Sequence, residues 1–210
     1  MSGTKRGKYL GFVAHEIKNP LATALWSCDL LKRMEGPERS GERAEKMIDV
    51  SLRALRRMRR LIDDYFTIER LLENGYELRR ERVAVKDLVD ATLQTVAEKD
   101  NIPTAGWVNE LQGEVMGDGE MLRKALRAAI EYLARASPAP RLSFKMREGA
   151  LLIRAETPPA QLIPPDPEDR ASGDPTGAVL GFALAARILE AHGGRIEERD
   201  GALALILPAP

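Results

Sequence analysis

Residues 12–21 read FVAHEIKNPL and lie within a long run of helical periodicity. Apolar residues recur around this segment at alternating spacings of four and three, which predicts one apolar stripe along a helix: Leu10, Ala14, Ile17, Leu21, Ala24, Cys28 and Leu31. Gly36-Pro37 ends the predicted helix, because glycine and proline together interrupt helical backbone geometry. On this pattern, Cys28 is a small core residue.

A second apolar stripe follows the break and predicts a second long helix, which Asn74-Gly75 ends. Its members are Met47, Ile48, Leu55, Met58, Leu61, Ile62, Tyr65, Ile68 and Leu72. Two such helices joined by a short turn predict a helical hairpin as the first domain, residues 1–75. Because a hairpin buries only one seam, we expect a second copy to cover the rest, giving a homodimer with a four-helix bundle. The alternative is that the stripes pack on the back half of the same chain.

Residues 76–210 form the second predicted domain, with an α+β pattern and the architecture of an α/β sandwich. Helices are predicted over 85–98, 120–136 and 177–191. Single strands are predicted over 76–83 and 107–111. Hairpins are predicted over 141–156, with its turn at Glu148-Gly149, and over 195–207, with its turn at Asp200-Gly201. The segment 157–176 holds six prolines and is predicted to be a stiff loop.

Composition excludes several classes of protein. Lys and Arg number 32, equal to Asp and Glu, so bulk charge does not favour nucleic acid or an anionic membrane as partner. A single cysteine excludes a disulfide scaffold. No apolar run approaches the roughly 20 residues that span a bilayer, and the N-terminus lacks the apolar core of a signal peptide. We therefore expect a cytoplasmic protein without membrane insertion.

His15 lies beside the first apolar stripe, so its ring is expected to reach solvent. Asn19, Ala22 and Trp26 share its helix face, since residues one turn apart are neighbours on a helix. The adjacent Glu16 can orient the imidazole or take its proton. An exposed imidazole beside a carboxylate suits a phosphate-accepting nucleophile. The alternative is an ordinary surface histidine on a proline-containing helix.

This segment, with the hairpin that follows, resembles the H-box of the dimerisation and phosphotransfer domain of sensor histidine kinases. The resemblance implies that His15 is the phosphoacceptor and Glu16 its general base. It places Asn19 where the family has the Thr or Asn that positions water to hydrolyse a phospho-aspartate. It also implies that a response-regulator receiver domain docks near His15, Ala22 and Trp26.

The back half resembles the ATP-binding domain of the same family, but its N-box is altered. That box carries two amide side chains one turn apart, which hold Mg²⁺ on the phosphates. In the family register Ala128 and Tyr132 stand at these positions, and neither is a suitable Mg²⁺ ligand. Glu131 lies on the same helix but about 100° from the required face.

The two glycine-rich boxes of the family are altered as well. The first becomes Glu156-Thr157-Pro158-Pro159-Ala160, in which Glu156 could still accept the adenine amine but both glycines are lost. The second becomes Gly177-Ala178-Val179-Leu180-Gly181, in which Val179 replaces the middle glycine. The resemblance thus leaves only vestigial cofactor-binding residues, Glu156, Gly177 and Gly181, with no metal ligand. We expect no cofactor and no ATP-driven autophosphorylation.

The preferred hypothesis is a two-component signalling protein that transfers phosphoryl groups between His15 and a receiver aspartate. One alternative is an active sensor histidine kinase that uses ATP and Mg²⁺ to phosphorylate His15. Another is a non-enzymatic pseudokinase scaffold, and a further one is a phosphatase that acts on the receiver through Asn19.

Two other features receive structural interpretations. Five arginines lie close together on the second helix: Arg53, Arg56, Arg57, Arg59 and Arg60. We interpret them as a solvated helix flank rather than a docking surface for an acidic receiver face. His192, before Gly193-Gly194, is interpreted as a residue that caps a helix C-terminus.

Overall fold

The front of the chain is a helical hairpin. The computed structural model describes residues 7, 9–73, 75–100, 102–105, 107–137, 141–167 and 177–207. Helix α1 covers Leu10–Arg33, a short 3-10 turn covers Gly36–Ser40, and helix α2 covers Glu42–Leu72. The predicted hairpin is confirmed, with α1 continuing through Pro20.

Only part of the apolar stripe predicted for α1, including Ala24, packs within the chain. The buried residues of α1 are Val13, Glu16, Pro20, Ala24 and Ser27. Leu10, Leu21 and Cys28 are exposed, so the interpretation of Cys28 as a core residue is wrong for the single chain. The reason is that α1 has two adjacent apolar faces, and only one of them meets α2.

The back of the chain is an α+β sandwich with one two-stranded and one five-stranded sheet. Its strands are β1 (Glu81–Ala84), β2 (Val108–Glu110), β3 (Glu114–Gly117), β4 (Leu142–Arg147), β5 (Ala150–Ala155), β6 (Arg195–Arg199) and β7 (Ala202–Ile206). Its helices are α3 (Val85–Asp100), α4 (Gly119–Ala136) and α5 (Ala178–Ala191). The predicted fold class and all three predicted helices are confirmed.

Strand order shows how the sandwich is assembled. The five-stranded sheet has the order β2-β4-β5-β7-β6, in which β2 and β4 run parallel and every other pair is antiparallel. Strand β1 pairs antiparallel with β3, which the sequence did not predict. The strand predicted over 76–83 begins later, at Glu81. Both predicted hairpin turns are present, with Glu148 and Asp200 in the left-handed region before glycines that share it.

One apolar cluster joins the hairpin to the sandwich. Residues of α1, α2, α4 and α5 and the preceding Tyr9 contribute to it: Tyr9, Val13, Leu61, Ile68, Met121, Ala125, Leu180, Leu184, Ala185 and Ile188. Two ion pairs between α2 and α4 flank the cluster, Arg60 with Glu131 at 2.8 Å and Lys124 with Asp64 at 3.3 Å. Part of the α2 stripe therefore packs on the back half of the same chain, as the alternative interpretation held.

Among the residues that the structure describes, no helix is both long enough and apolar enough to cross a bilayer.

Candidate functional site

His15 projects from α1 into solvent while remaining in contact with Glu16. Its side chain is 63% exposed, and its Nδ1 lies 3.3 Å from Glu16 Oε1. The Glu16 side chain turns into the seam between α1 and α2 and is 1% exposed. One ring nitrogen is thus held by a buried carboxylate while the ring as a whole stays accessible, an arrangement that suits a nucleophile.

A cation from α2 completes this group. Arg57 Nη2 donates to Glu16 Oε2 at 3.3 Å, and the Arg57 side chain is 27% exposed. The interpretation of the arginine run as a solvated flank is wrong for Arg57 and for Arg60, because both side chains are half-buried and ion-paired. A sequence signal was available, because position 57 shares a helix face with the apolar residues Ala54 and Leu61.

Asn19, Ala22 and Trp26 are exposed and follow His15 at helical spacing. The Trp26 side chain is among the most open large apolar groups, at 60% exposure. The structure brings His15 into direct contact with Glu16, and it places the other three residues on the same helix face as His15. The open face beside His15 therefore carries one amide group and one large aromatic ring.

The two residues predicted to stand in the N-box, Ala128 and Tyr132, lie on α4 and contact α5. Tyr132 is buried, and its ring packs edge-on against Phe182 with centroids 5.1 Å apart. Its hydroxyl donates to the carbonyl of Gln161 at 2.9 Å, which ties α4 to the proline-rich loop. Ala128 faces Gly181, where an added β-carbon would lie 3.6 Å from the Ala128 β-carbon. The two helices are therefore in close contact at these positions.

Glu131, the remaining carboxylate in the middle of α4, is already paired. It accepts from Arg60 at 2.8 and 3.1 Å and from Arg135 at 3.0 and 3.2 Å. Two guanidinium groups satisfy both of its oxygens, so it serves the contact between α2 and α4. Within the described part of the chain, no three His, Cys, Asp or Glu side chains gather as a candidate metal site.

The three residues predicted to be vestigial cofactor-binding residues, Glu156, Gly177 and Gly181, lie in different surroundings. Glu156 follows β5 and is exposed, and its Oε2 lies 3.8 Å from Arg141 Nη1. Gly177 caps α5 with a φ of 73°, and an added β-carbon there would lie 3.1 Å from Leu61 Cδ2. Gly181 lies inside α5, and Val179 is buried in its first turn. In this register the second glycine-rich box is helix rather than an extended loop.

His192 is the C-cap of α5, as predicted, and it also joins two helices. Its Nδ1 lies 2.7 Å from the carbonyl of Ile188, and its Nε2 accepts from the Asp118 N–H at 3.0 Å. These two contacts require the neutral tautomer that carries its proton on Nδ1. Asp118 in turn caps α4 by accepting from the backbone of Glu120 and Met121. The ring therefore has a structural role.

Residues 5–74 match the family described as His Kinase A (phospho-acceptor) domain. The chain is similar to the sensor protein DivL of Caulobacter vibrioides, with 27% identity over 89% of this chain and 25% of DivL. It is also similar to the sensor protein SphS of Synechococcus elongatus, with 25% identity over 93% of this chain and 52% of SphS. The chain thus spans between a quarter and about half of the length of these curated relatives.

Solved histidine kinases share the fold. Acinetobacter baumannii histidine kinase AdeS superposes with a TM-score of 0.66 at 20% identity, covering 92% of this chain and 97% of that one. Full-length ShkA, solved in complex with AMPPNP, gives a TM-score of 0.54 at 19% identity, covering 97% of this chain and 47% of that one. The architecture that these two structures share with this chain is a helical hairpin followed by an ATPase-like domain.

The fold and the phospho-acceptor match define a two-component signalling protein of the histidine kinase type. Residues 5–74 thus form a His Kinase A phospho-acceptor domain, and an ATPase-like domain follows this helical hairpin, as in the sensor proteins and histidine kinases to which the chain is similar.

Proposed function

We propose that His15 exchanges a phosphoryl group with the aspartate of a response-regulator receiver domain and is not phosphorylated from ATP by this chain. The observation that carries the proposal is a contrast between two places in the molecule. The His15 ring is 63% exposed beside a buried carboxylate. At the positions where the resemblance places the nucleotide-binding boxes, Tyr132 packs against Phe182 and Gly177 lies beside Leu61.

The transfer is a displacement at phosphorus. The lone pair of His15 Nε2 forms a bond to the phosphorus of the receiver's aspartyl phosphate, and the P–O bond to that aspartate breaks. The bonding electrons leave with the aspartate oxygen, which becomes a carboxylate. Glu16 stabilises or accepts the proton on Nδ1 as positive charge develops on the ring. The reverse reaction returns the phosphoryl group to the receiver.

ATP-driven autophosphorylation depends on metal ligands and on backbone amides that position the phosphates. At the two N-box positions this chain has Ala128 and Tyr132, and the Tyr132 hydroxyl is engaged with Gln161. The start of α5 is packed against Leu61. We therefore propose that the ATPase-like domain acts as a fixed part of the protein and needs neither ATP nor Mg²⁺. Any Mg²⁺ in the reaction would belong to the receiver.

We also propose that the chain is a homodimer. Besides Trp26, eight large apolar side chains of the hairpin are exposed in the single chain: Leu10, Leu21, Leu25, Ile48, Leu52, Leu55, Ile62 and Phe66. Their spacing puts those of α1 on one face and those of α2 on one face, next to the faces that pack within the hairpin. A continuous apolar surface of this size favours a second copy as its cover, giving a four-helix bundle.

The receiver is proposed to dock on the His15 face of α1. Ala22 leaves room for an approaching surface, and Trp26 offers an exposed aromatic side chain of the kind that anchors protein interfaces. This face lies apart from the apolar residues proposed for the dimer. One bundle could therefore dimerise and bind receivers at the same time.

Asn19 supports hydrolysis of the receiver's phosphate as a second activity. Its exposed amide follows His15 by one helical turn, within the face proposed for receiver docking. In Asn19→Ala the loss of phosphate from the receiver should slow, while phosphoryl transfer to His15 should change little. Equal losses of both activities would contradict a separate role for Asn19.

The proposal is tested with a receiver that carries a labelled aspartyl phosphate. Wild-type protein should acquire label in a bond that is stable to base and labile to acid, as expected of phosphohistidine. His15→Gln should acquire none and should keep its helical content by circular dichroism. Receiver binding without any label transfer would instead support a pseudokinase scaffold, and labelling from ATP and Mg²⁺ alone would support an active histidine kinase.

A further inference from the structure

Arg57 holds the carboxylate that contacts the proposed nucleophile. Its Nη2 donates to Glu16 Oε2, across 41 positions of sequence, while Glu16 Oε1 faces His15 Nδ1. Both heavy-atom distances are 3.3 Å. The two oxygens of one carboxylate therefore serve two different partners, one on each helix of the hairpin.

The buried Glu16 carboxylate requires a compensating charge, which the Arg57 guanidinium provides. Glu16 is 1% exposed, and an ionised carboxylate withdrawn from water is stable only with an opposite charge or several hydrogen bonds. Protonated His15 could supply a charge, but the neutral ring that acts as a nucleophile cannot. Arg57 stays charged throughout the reaction, since a guanidinium does not lose its proton in proteins. It can therefore supply the charge opposite to the Glu16 carboxylate even when the His15 ring is neutral.

The position of the carboxylate also determines which ring nitrogen is free. A carboxylate oxygen at Nδ1 favours the tautomer with the proton on Nδ1, because a carboxylate only accepts hydrogen bonds. The lone pair then lies on Nε2, the nitrogen farther from the backbone. Arg57, by fixing Glu16 Oε2, keeps Oε1 in reach of Nδ1.

We propose that Arg57 is a positioning residue for phosphoryl transfer, acting through Glu16 to keep His15 in the tautomer that attacks from Nε2. This inference rests on the proposed function of His15. It assigns to Arg57 no contact with the phosphoryl group or with the receiver. When the N–P bond forms and the P–O bond to the receiver's aspartate breaks, the ring gains positive charge, and the ionised Glu16 stabilises that charge through Nδ1–H.

The test compares Arg57→Ala, Arg57→Lys and a matched control, Arg56→Ala, which removes an exposed arginine from the adjacent position. Urea unfolding and dimer mass are measured first, so that rates are compared among folded proteins. Arg57→Lys retains a cation that can reach Glu16, and it keeps the inference falsifiable if Arg57→Ala does not fold.

The His15 tautomer is the most specific readout, because an arginine with a purely structural role would not affect it. Nitrogen-15 spectra of the imidazole rings distinguish a protonated Nδ1 from a protonated Nε2, and the spectrum of His15→Gln identifies the His15 signals. His192 serves as an internal reference, because its two hydrogen bonds hold the proton on Nδ1. This measurement needs neither receiver nor phosphate, so it stands even if the proposed transfer fails.

The expected result is that wild type, Arg56→Ala and Arg57→Lys show His15 with its proton on Nδ1, whereas Arg57→Ala shows a mixture of tautomers. The transfer rate from a phosphorylated receiver should fall about tenfold to a hundredfold in Arg57→Ala, with receiver affinity unchanged and recovery in Arg57→Lys. An unchanged tautomer in folded Arg57→Ala would overturn the inference. Absence of transfer in wild type, with the tautomer shift present, would count against the proposed function and leave the link from Arg57 to His15 intact.

Discussion

Leu61 of the second bundle helix packs over Gly177, at the start of α5. A β-carbon on residue 177 would come within 3.1 Å of Leu61 Cδ2, and the positive φ of Gly177 also favours glycine there. A helix N-terminus is a natural site for phosphate, because its backbone N–H groups lack partners within the helix. Here an apolar side chain of the hairpin meets that turn. The hairpin and the ATPase-like domain are thus in contact at Gly177, the first residue of the segment that resembles the second glycine-rich box.

Leu61→Ala should destabilise the protein by about 2–4 kcal/mol, because it leaves a cavity between the hairpin and the sandwich. Leu61 is 2% exposed, so little of the cavity can be filled by solvent. Urea unfolding followed by circular dichroism measures the change. Arg53→Ala, at an exposed site on the same helix, should change stability by less than about 0.5 kcal/mol. Equal effects of the two substitutions would show that this interface is not packed in solution.

Leu55→Glu should convert the dimer to a monomer without unfolding the hairpin. Leu55 is 49% exposed in the single chain, so the substitution disturbs little within it but puts a charge into the proposed seam between copies. Light scattering coupled to size-exclusion chromatography gives the mass. Lys46→Glu, at an exposed position on another face of α2, is the control and should remain dimeric. A dimer with unchanged affinity in Leu55→Glu would place the interface elsewhere.

Trp26→Ala should weaken receiver binding by about tenfold or more, because an exposed tryptophan at an interface commonly contributes more than about 1 kcal/mol. The dimer and the stability of the fold should be unaffected, since the side chain is 60% exposed. Calorimetric titration with the receiver is the measurement, and Glu45→Ala on α2 is the control. If Trp26→Ala binds the receiver as wild type does, docking does not use this face of α1.

Asp64 makes stability depend on pH. Burial is the main cause that raises the pKa of its carboxyl, and the nearby Lys124 ammonium opposes the shift. Because the raised pKa belongs to the folded state, that state binds the proton more tightly than the unfolded chain does. The stability that this proton contributes is present at acid pH and is lost as pH rises through the folded-state pKa.

Asp64→Asn should therefore gain stability relative to wild type as pH rises from acid to neutral. Urea unfolding at a series of pH values measures the difference. The matched control is Asp63→Asn, at the exposed neighbouring position, which should show no such trend. If the free energy of unfolding of Asp64→Asn instead falls relative to that of wild type as pH rises, the ion pair with Lys124 outweighs the cost of burying the Asp64 carboxylate.

The hairpin could be predicted from the sequence because its signals are local. Two apolar stripes and a break at Gly36-Pro37 determine two helices and their connection. The same signals could not tell which apolar face of α1 meets α2, since both faces follow helical spacing. The prediction for Cys28 was wrong for that reason. The strand Glu114–Gly117 was missed because its pairing with β1 lies far away in the sequence.

The candidate site was predictable only in its local part. His15 and its neighbours on α1 are one helical segment, so their spacing places them on one face. Glu16 and Arg57, like Glu131 and Arg60, are distant in sequence. Helical periodicity could place Arg57 on the inward face of α2, but neither periodicity nor composition indicates its partner. The altered N-box and glycine-rich boxes were visible in the sequence. The contacts of Tyr132 with Phe182 and of Gly177 with Leu61 were not.

The central claim is that phosphate reaches His15 from a receiver and not from nucleotide. The most direct measurement offers the same preparation two labelled donors separately, a phosphorylated receiver and ATP with Mg²⁺, and counts label on His15 over time, with His15→Gln as background. We predict rapid labelling from the receiver and no labelling above background from ATP. Labelling of His15 from ATP alone would contradict the claim, as would failure of the receiver to label a folded dimer.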